Sequence, residues 1–349
     1  MNKKAMSSME RVLTTLSHKE PDRVPLFLLA AMHGAKELGV TIKDYFSKGD
    51  NVVEGQLRIR KKYRNDCIYP FFYTPLEIEA FGGSVIYSED GPPNAGEPFI
   101  TDVNQIKNLQ PPRVKDTKVL HKVLESIQKL KATVKDEVPI IAVVISPFSL
   151  PVMQLGFEQY LNLMHLHTEL FEQLIKINEE FCVDWANAQL EAGATAICFF
   201  DPVSSTTVIP KEKYLQTGFL SARHTIARIK GPTATHFASG NCLPIIDEVA
   251  QTGTAVIGVS TFEDIGVIKE KCKNKLTVLG NLNGIEMRRW TPEQTQQIVK
   301  NAITQAAPGG GFILSDNHGE IPFLVPEDVL LEISEAVHTY GEYPIRLHS

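Results

Sequence analysis

The 349-residue sequence contains only five cysteines, Cys67, Cys182, Cys198, Cys242 and Cys272. They are dispersed and odd in number, which excludes a disulfide framework as the organising device of so long a chain. They read as thiols, or as one or two metal ligands. No apolar run reaches the roughly 18 residues that a membrane span needs. The opening MNKKAMSSMERVL carries charge, but no apolar segment of roughly 7–15 residues follows it. No secretory signal is therefore read, and a cytoplasmic location is expected. An excess of positive charge is also missing. Lys and Arg number 35 against 41 Asp and Glu, a net charge of −6. That argues against nucleic acid or an anionic membrane as the main partner.

What is present is apolar material, 43% of the residues. Length alone, at about 150 residues per domain, suggests two domains, yet single α/β barrels run well past 250 or so. Runs rich in β-branched and aromatic residues recur at 24–30, 66–72, 139–147, 194–201, 233–238, 255–259, 276–282 and 311–318. They are nearly continuous rather than alternating, as in parallel strands buried on both faces. Amphipathic stretches lie between them: LHKVLESIQKLKATV, YLNLMHLHTELFEQLIKINEEFCVDWANAQLEAG, IPKEKYLQTGFLSARHTIARI and TPEQTQQIVKNAITQAA. Gly193 and Gly231 read as helix C-caps. Thr291 and Pro292 read as a helix start. Eight β-then-α units predict one α/β fold, a (β/α)8 TIM barrel over 1–349, with an N-terminal helix at 6–16. The Gly- and Pro-rich stretch within 73–138 reads as an excursion of short strands and turns beside the barrel. The closing IRLHS has no readable role.

Barrel active sites gather at the C-terminal ends of the strands. The first strand ends near Met32 and His33, the third at Ser146, the fourth at Asp201, and the fifth at His236 in THFASGNC. The seventh ends at Asn281 and the eighth at Asp316, Asn317 and His318. This puts His236 and His318 on one face, with Cys242 a short turn beyond the fifth strand. Two imidazoles and a thiolate are good zinc ligands, leaving a fourth position for water or substrate. The plainer alternative is a hydrogen-bonded histidine and a small buried thiol. Asp201 ends the apolar run AICFFD, so it needs a partner or a role, whether as acid/base, ligand or cap. Glu77 and Glu79 read as solvated carboxylates of the excursion.

The stretches ERVLTTLSHKEPDRVPL, VISPFSL, EAGATAICFFDP, VLGNLNG and ILSDNHGEIP resemble, in order, the uroporphyrinogen decarboxylase superfamily. The resemblance implies a (β/α)8 barrel over nearly the whole chain. It also implies one of two chemistries. The decarboxylase branch has an arginine-bearing segment after the first strand for a many-carboxylate substrate. Here that place reads PLFLLAAMHGAKELG, without arginine, which disfavours the decarboxylase alternative. The cobalamin-dependent branch includes methylcobamide:coenzyme M methyltransferases and related demethylating enzymes of anaerobes. Its zinc motif looks like His-x-Cys on the fifth strand with a second Cys at the end of the eighth. His236 matches the first ligand, Ala238 stands at the second, and the third falls at or beside His318.

Zinc held by His236, His318 and Cys242 or a carboxylate would be a harder Lewis acid than a two-thiolate site, suited to an oxygen leaving group. The expected activity is methyl transfer from a small methylated substrate, favoured as a methoxylated aromatic, to a corrinoid carried by a partner protein. Methylcorrinoid:thiol transfer is the alternative. His236, His318 and Asp201 are the expected catalytic residues. Phe71, Tyr73, Phe200 and Asn281 are the expected substrate contacts, with barrel packing an equal account of the aromatics. No Asp-x-His-x-x-Gly pattern of corrinoid carriers is present, so the corrinoid is expected on another chain.

Overall fold

In a computed structural model, residues 5–345 are described. The last four residues of IRLHS lie outside them. A short antiparallel pair, β1 (Val85–Ile86) and β2 (Asn94–Ala95), stands apart from a six-stranded parallel sheet. That sheet runs in order through β3 (Ile141–Ile145), β4 (Ala196–Phe200), β5 (Thr233–His236), β6 (Val256–Gly258), β7 (Thr277–Leu282) and β8 (Phe312–Asp316).

The first two expected strands close the ring as extended segments that carry single bridges rather than ladders. Leu26 bridges Leu314 of β8, and Ile68 bridges Ile140 beside β3, both in parallel. The Asp66 N–H donates to the Leu26 carbonyl at 2.8 Å, joining the two segments. The ladders are short because side chains take the strand amides. Leu26 N–H donates to Asp66 at 2.9 Å, Leu28 N–H to Asn65 at 3.0 Å, and Tyr69 N–H to Gln56 at 3.3 Å. Pro25 and Pro70 have no amide hydrogen to offer.

Every second residue points inward. Phe27, Leu29, Cys67, Tyr69, Val143, Cys198, Val256, Leu279 and Ile313 fill the barrel as one buried cluster. Helix Ser8–Leu16 closes the floor, with Val12 in that cluster and a capping box between Ser7 and Glu10. Arg11 from this helix joins Asp22 and Asp66 at 2.7 Å each, and Arg23 meets Asp66 at 2.7 Å. Asp66 is buried, so both guanidinium groups and the Leu26 amide are needed to satisfy it.

Some expected helices are divided. The long one after β3 becomes Phe157–Leu166 and Thr168–Glu191, broken at His167. The one after β4 becomes Lys211–Gln216 and Gly218–Ile226, broken at Thr217. That second helix ends before Gly231, which is therefore no C-cap, whereas Gly193 follows the C-cap Ala192 at φ +117°. The Thr291–Pro292 start is realised with a capping box to Gln294. The expected helix LHKVLESIQKLKATV is realised as Lys118–Val134, and the excursion before it adds helix its composition does not suggest, Leu76–Ala80, beside the short β1–β2 pair.

Candidate active site at the barrel mouth

A cavity of about 570 Å³ opens at the C-terminal ends of the strands. Its walls come from Tyr69 and Phe71 of the second segment, Val143 of β3, Val152 and Met153 of the following helix, and Phe200 of β4. The excursion supplies Pro92 to Gly96 and Pro98, so it forms one side of the mouth. The loop after β8 supplies His318, Gly319 and Glu320. Among the described residues no Lys or Arg lines the cavity; the ionisable side chains there besides Tyr69 are His318 and Glu320.

The loop after β8 is held from three directions. Tyr69 donates its hydroxyl to the Gly319 carbonyl at 3.0 Å. Ile321 N–H donates to the Leu29 carbonyl at 2.9 Å. Buried Asp316 accepts from the amides of Leu29 and His318 at 3.2 Å each. Gly319 sits at φ +85°, and a Cβ there would meet Phe200 at 2.5 Å. Only glycine lets the loop lie against that ring.

Glu320 is the site residue that its sequence context hid. Its Oε1 is buried without a partner, and burial pushes its carboxyl up to about 8. Burial therefore favours its protonated, uncharged form, against the Met32 N–H that favours the carboxylate. Asp316 is likewise raised to about 7 by burial. The only sequence signal for Glu320 is its place two residues past His318.

His236 is fully buried at the end of β5. Its ring lies 5.7 Å from that of Phe200, so it stands behind the cavity wall rather than in it. Gly258 on β6 makes the space, since a Cβ there would stand 2.3 Å from His236 Cδ2. Burial, then the neighbouring His318, lowers the His236 ring to about 4. Ala238 adopts φ +51° and donates its N–H to His236 Nδ1 at 2.9 Å. Ser239 Oγ contacts His318 Nδ1 and lies 3.5 Å from Asn317 Nδ2. The turn in THFASGNC thus connects β5 to the loop after β8. Burial also lowers the His318 ring.

Other expected site residues lie elsewhere. Cys242 is buried in the core, its amide donating to Glu263 at 2.9 Å and its thiol 3.5 Å from that carboxylate. Burial first, then Glu263, pushes that thiol well up. Asp201 accepts from Ser146 and from Ser149 at 2.8 Å and does not line the cavity. It ties β4 to the turn after β3, and burial raises it. Phe71 and Phe200 line the cavity as expected, but Tyr73 is buried outside it, donating to Glu79 at 2.9 Å. Asn281 donates to the Ser260 carbonyl at 2.9 Å and ties β7 to the loop after β6 instead. Glu77 is no solvated carboxylate. It is buried, accepts from Ile145 N–H at 2.9 Å at the end of β3, and is raised by burial to about 8.

Among the described residues no group of three or more His, Cys, Asp or Glu side chains is arranged to hold a metal ion. The chemistry of the donor set agrees. The Cys242 thiol faces Glu263, and the His236 Nδ1 lone pair is occupied by a backbone N–H. The expected zinc set of His236, Cys242 and His318 is not assembled.

A closed parallel barrel with its cavity at the strand ends defines an α/β-barrel protein with an enzyme-like site. The sequence profile of the uroporphyrinogen decarboxylase family matches residues 7–340, and the chain belongs to that family. It is 23% identical over 358 residues to a uroporphyrinogen decarboxylase of Mannheimia succiniciproducens, covering 95% of this chain and 97% of that one. It is 31% identical over 166 residues to the methylcobamide:CoM methyltransferase MtaA of Methanosarcina barkeri, 46% of this chain and 48% of that one. The fold is similar to a solved methyltransferase from Methanosarcina mazei, with TM-score 0.81 at 18% identity, over 96% of this chain and 99% of that one.

Proposed function

We propose that the chain is a methyltransferase of this family. It moves a methyl group from a small methylated substrate, favoured as a methoxylated aromatic, to the cobalt of a corrinoid carried by a partner protein. The cavity carries this reading. It is walled by Tyr69, Phe71, Val143, Met153 and Phe200, and among the described residues no Lys or Arg lines it. A flat, uncharged ring fits such walls, whereas a substrate with many carboxylates finds no partner there. The likeness to the Methanosarcina barkeri enzyme supports methyl chemistry.

The corrinoid, when docked, supplies the cobalt that accepts the methyl group. The chain's own residues do the rest. Phe71 and Phe200 hold the ring, and the apolar wall excludes water. Glu320, protonated at neutral pH, offers an O–H to the oxygen that loses its methyl group. Charge developing on that oxygen is stabilised more strongly in this dry site than in water. His318, fixed by Ser239, presents its unpartnered Nε2 beside it.

A second reading, transfer from a methylated corrinoid to a thiol, is supported by the same relative. Ala238 at the place of a thiolate ligand weighs against it. The test is methyl transfer to cob(I)alamin followed by absorbance, with methoxylated aromatics, methylamines and methanol as donors. Methoxylated aromatics should be turned over. Thiol methylation from methylcobalamin at a high rate would establish the second reading, and turnover of uroporphyrinogen would overturn both.

A further inference from the structure

The THFASGNC turn has a consequence for what the site can bind. A backbone N–H only donates. The Ala238 amide at 2.9 Å from Nδ1 therefore engages that lone pair, and the neutral His236 ring carries its hydrogen on Nε2. A metal-bound imidazole has the reverse arrangement: one nitrogen ligates and the other donates outward. The unusual φ of +51° at Ala238 is what aims the amide at the ring.

His236 Nε2 finds no partner, although the ring is wholly buried. Three further polar atoms of the same region are also buried and unpartnered: Asn317 Oδ1, His318 Nε2 and Glu320 Oε1. They are grouped by structure and not only by sequence. Ser239 contacts both His318 and Asn317, and it lies one residue past Ala238 on the β5 turn. His318 and Glu320 line the inner end of the cavity, and His236 lies behind Phe200 of the same wall. Buried polar atoms without partners are costly, so such a group marks a place for a polar ligand atom or water.

We propose that this end of the cavity is a metal-free polar subsite, in which His236 is a fixed Nε2–H donor behind the Phe200 wall rather than a metal ligand, and His318 and Glu320, which line the cavity, receive an uncharged oxygen of the ligand, a phenolic hydroxyl or aryl ether, in place of zinc. The choice of ligand rests on the function proposed above; the donor state of His236 does not.

The experiment uses the full chain labelled with ¹⁵N-histidine. A long-range ¹H–¹⁵N correlation spectrum at neutral pH should show His236 protonated at Nε2 and bare at Nδ1, unchanged by a chelator or by one equivalent of zinc. Competition with a chromophoric chelator should show no stoichiometric zinc site. Titration with 2-methoxyphenol should move the His318 signal, and His318→Ala should weaken its binding by about tenfold, the loss of one neutral hydrogen bond. Thermal melting of His318→Ala and His236→Gln checks that the fold persists. An Nδ1-protonated ring, or one equivalent of zinc released by His236→Gln or His318→Ala, would overturn the inference. If the tautomer and zinc results hold and 2-methoxyphenol does not bind, the methoxyaromatic reading falls while the metal-free donor stands.

Discussion

In the proposed reaction Glu320 and His318, both on the cavity wall, have separate roles, and each can be removed separately. His318→Ala and Glu320→Gln should each lower methyl transfer by about 10²–10⁴-fold, the usual worth of a positioned proton donor. Urea melts should stay close to the parent's, because both side chains border the open cavity rather than the packed core. Wild-type rates in both variants would remove them from the chemistry. Gly258→Ala tests the room made for His236. A Cβ placed 2.3 Å from the ring should cost about 1–3 kcal/mol and disturb the site together with the fold. Thermal melting and turnover should fall together. At this scale the sequence was partly legible. His236 and His318 stand out because a barrel's strand ends are predictable once the strands are counted. Glu320 does not, because nothing local distinguishes a loop carboxylate that will be buried from one left in water. Cys242 misled for the converse reason: its spacing from His236 cannot reveal that Glu263 draws the thiol and its amide into the core.

Six strands of the barrel were readable from their apolar runs, and they pair in the expected order. The first two segments were readable as extended chain but not as bridged segments. Their amides are taken by Asp66, Asn65 and Gln56, a choice made by tertiary contacts. The breaks at His167 and Thr217 fall inside continuous helical patterns, where local propensity is silent. Asp66 is the tie between the floor helix and the first two segments. Asp66→Ala leaves Arg11 and Arg23 without their shared partner, and it should cost about 3–5 kcal/mol in urea unfolding. Glu77 gives a pH signature. Its folded carboxyl is raised from the ordinary 4.5 to about 8, so the folded state keeps a proton that the unfolded chain has lost. Its contribution is full below 4.5 and is lost as pH rises through about 8. Glu77→Gln should flatten that part of the stability–pH curve, as read from melting temperature across the same range. An unchanged slope would mean the buried carboxyl is already ionised.

At the scale of the molecule, the excursion between the second segment and β3 acts as a wall. It brings Pro92 to Gly96 to the mouth, opposite the loop after β8. The barrel supplies the floor and the chemistry, and the excursion narrows what can enter. Among the described residues that lining holds no Lys or Arg, which is what the proposed reading takes to disfavour a many-carboxylate substrate. No helix among the described residues is long and apolar enough to cross a membrane. The most direct test of the proposed chemistry is a single assay: purified protein, a reduced corrinoid and a methoxylated aromatic, with cobalt methylation followed by absorbance in the presence of a zinc chelator. Methylation of the corrinoid and release of the phenol are predicted, undiminished by the chelator and lost in Glu320→Gln. No transfer from any methoxylated aromatic, together with turnover of uroporphyrinogen, would contradict the proposal.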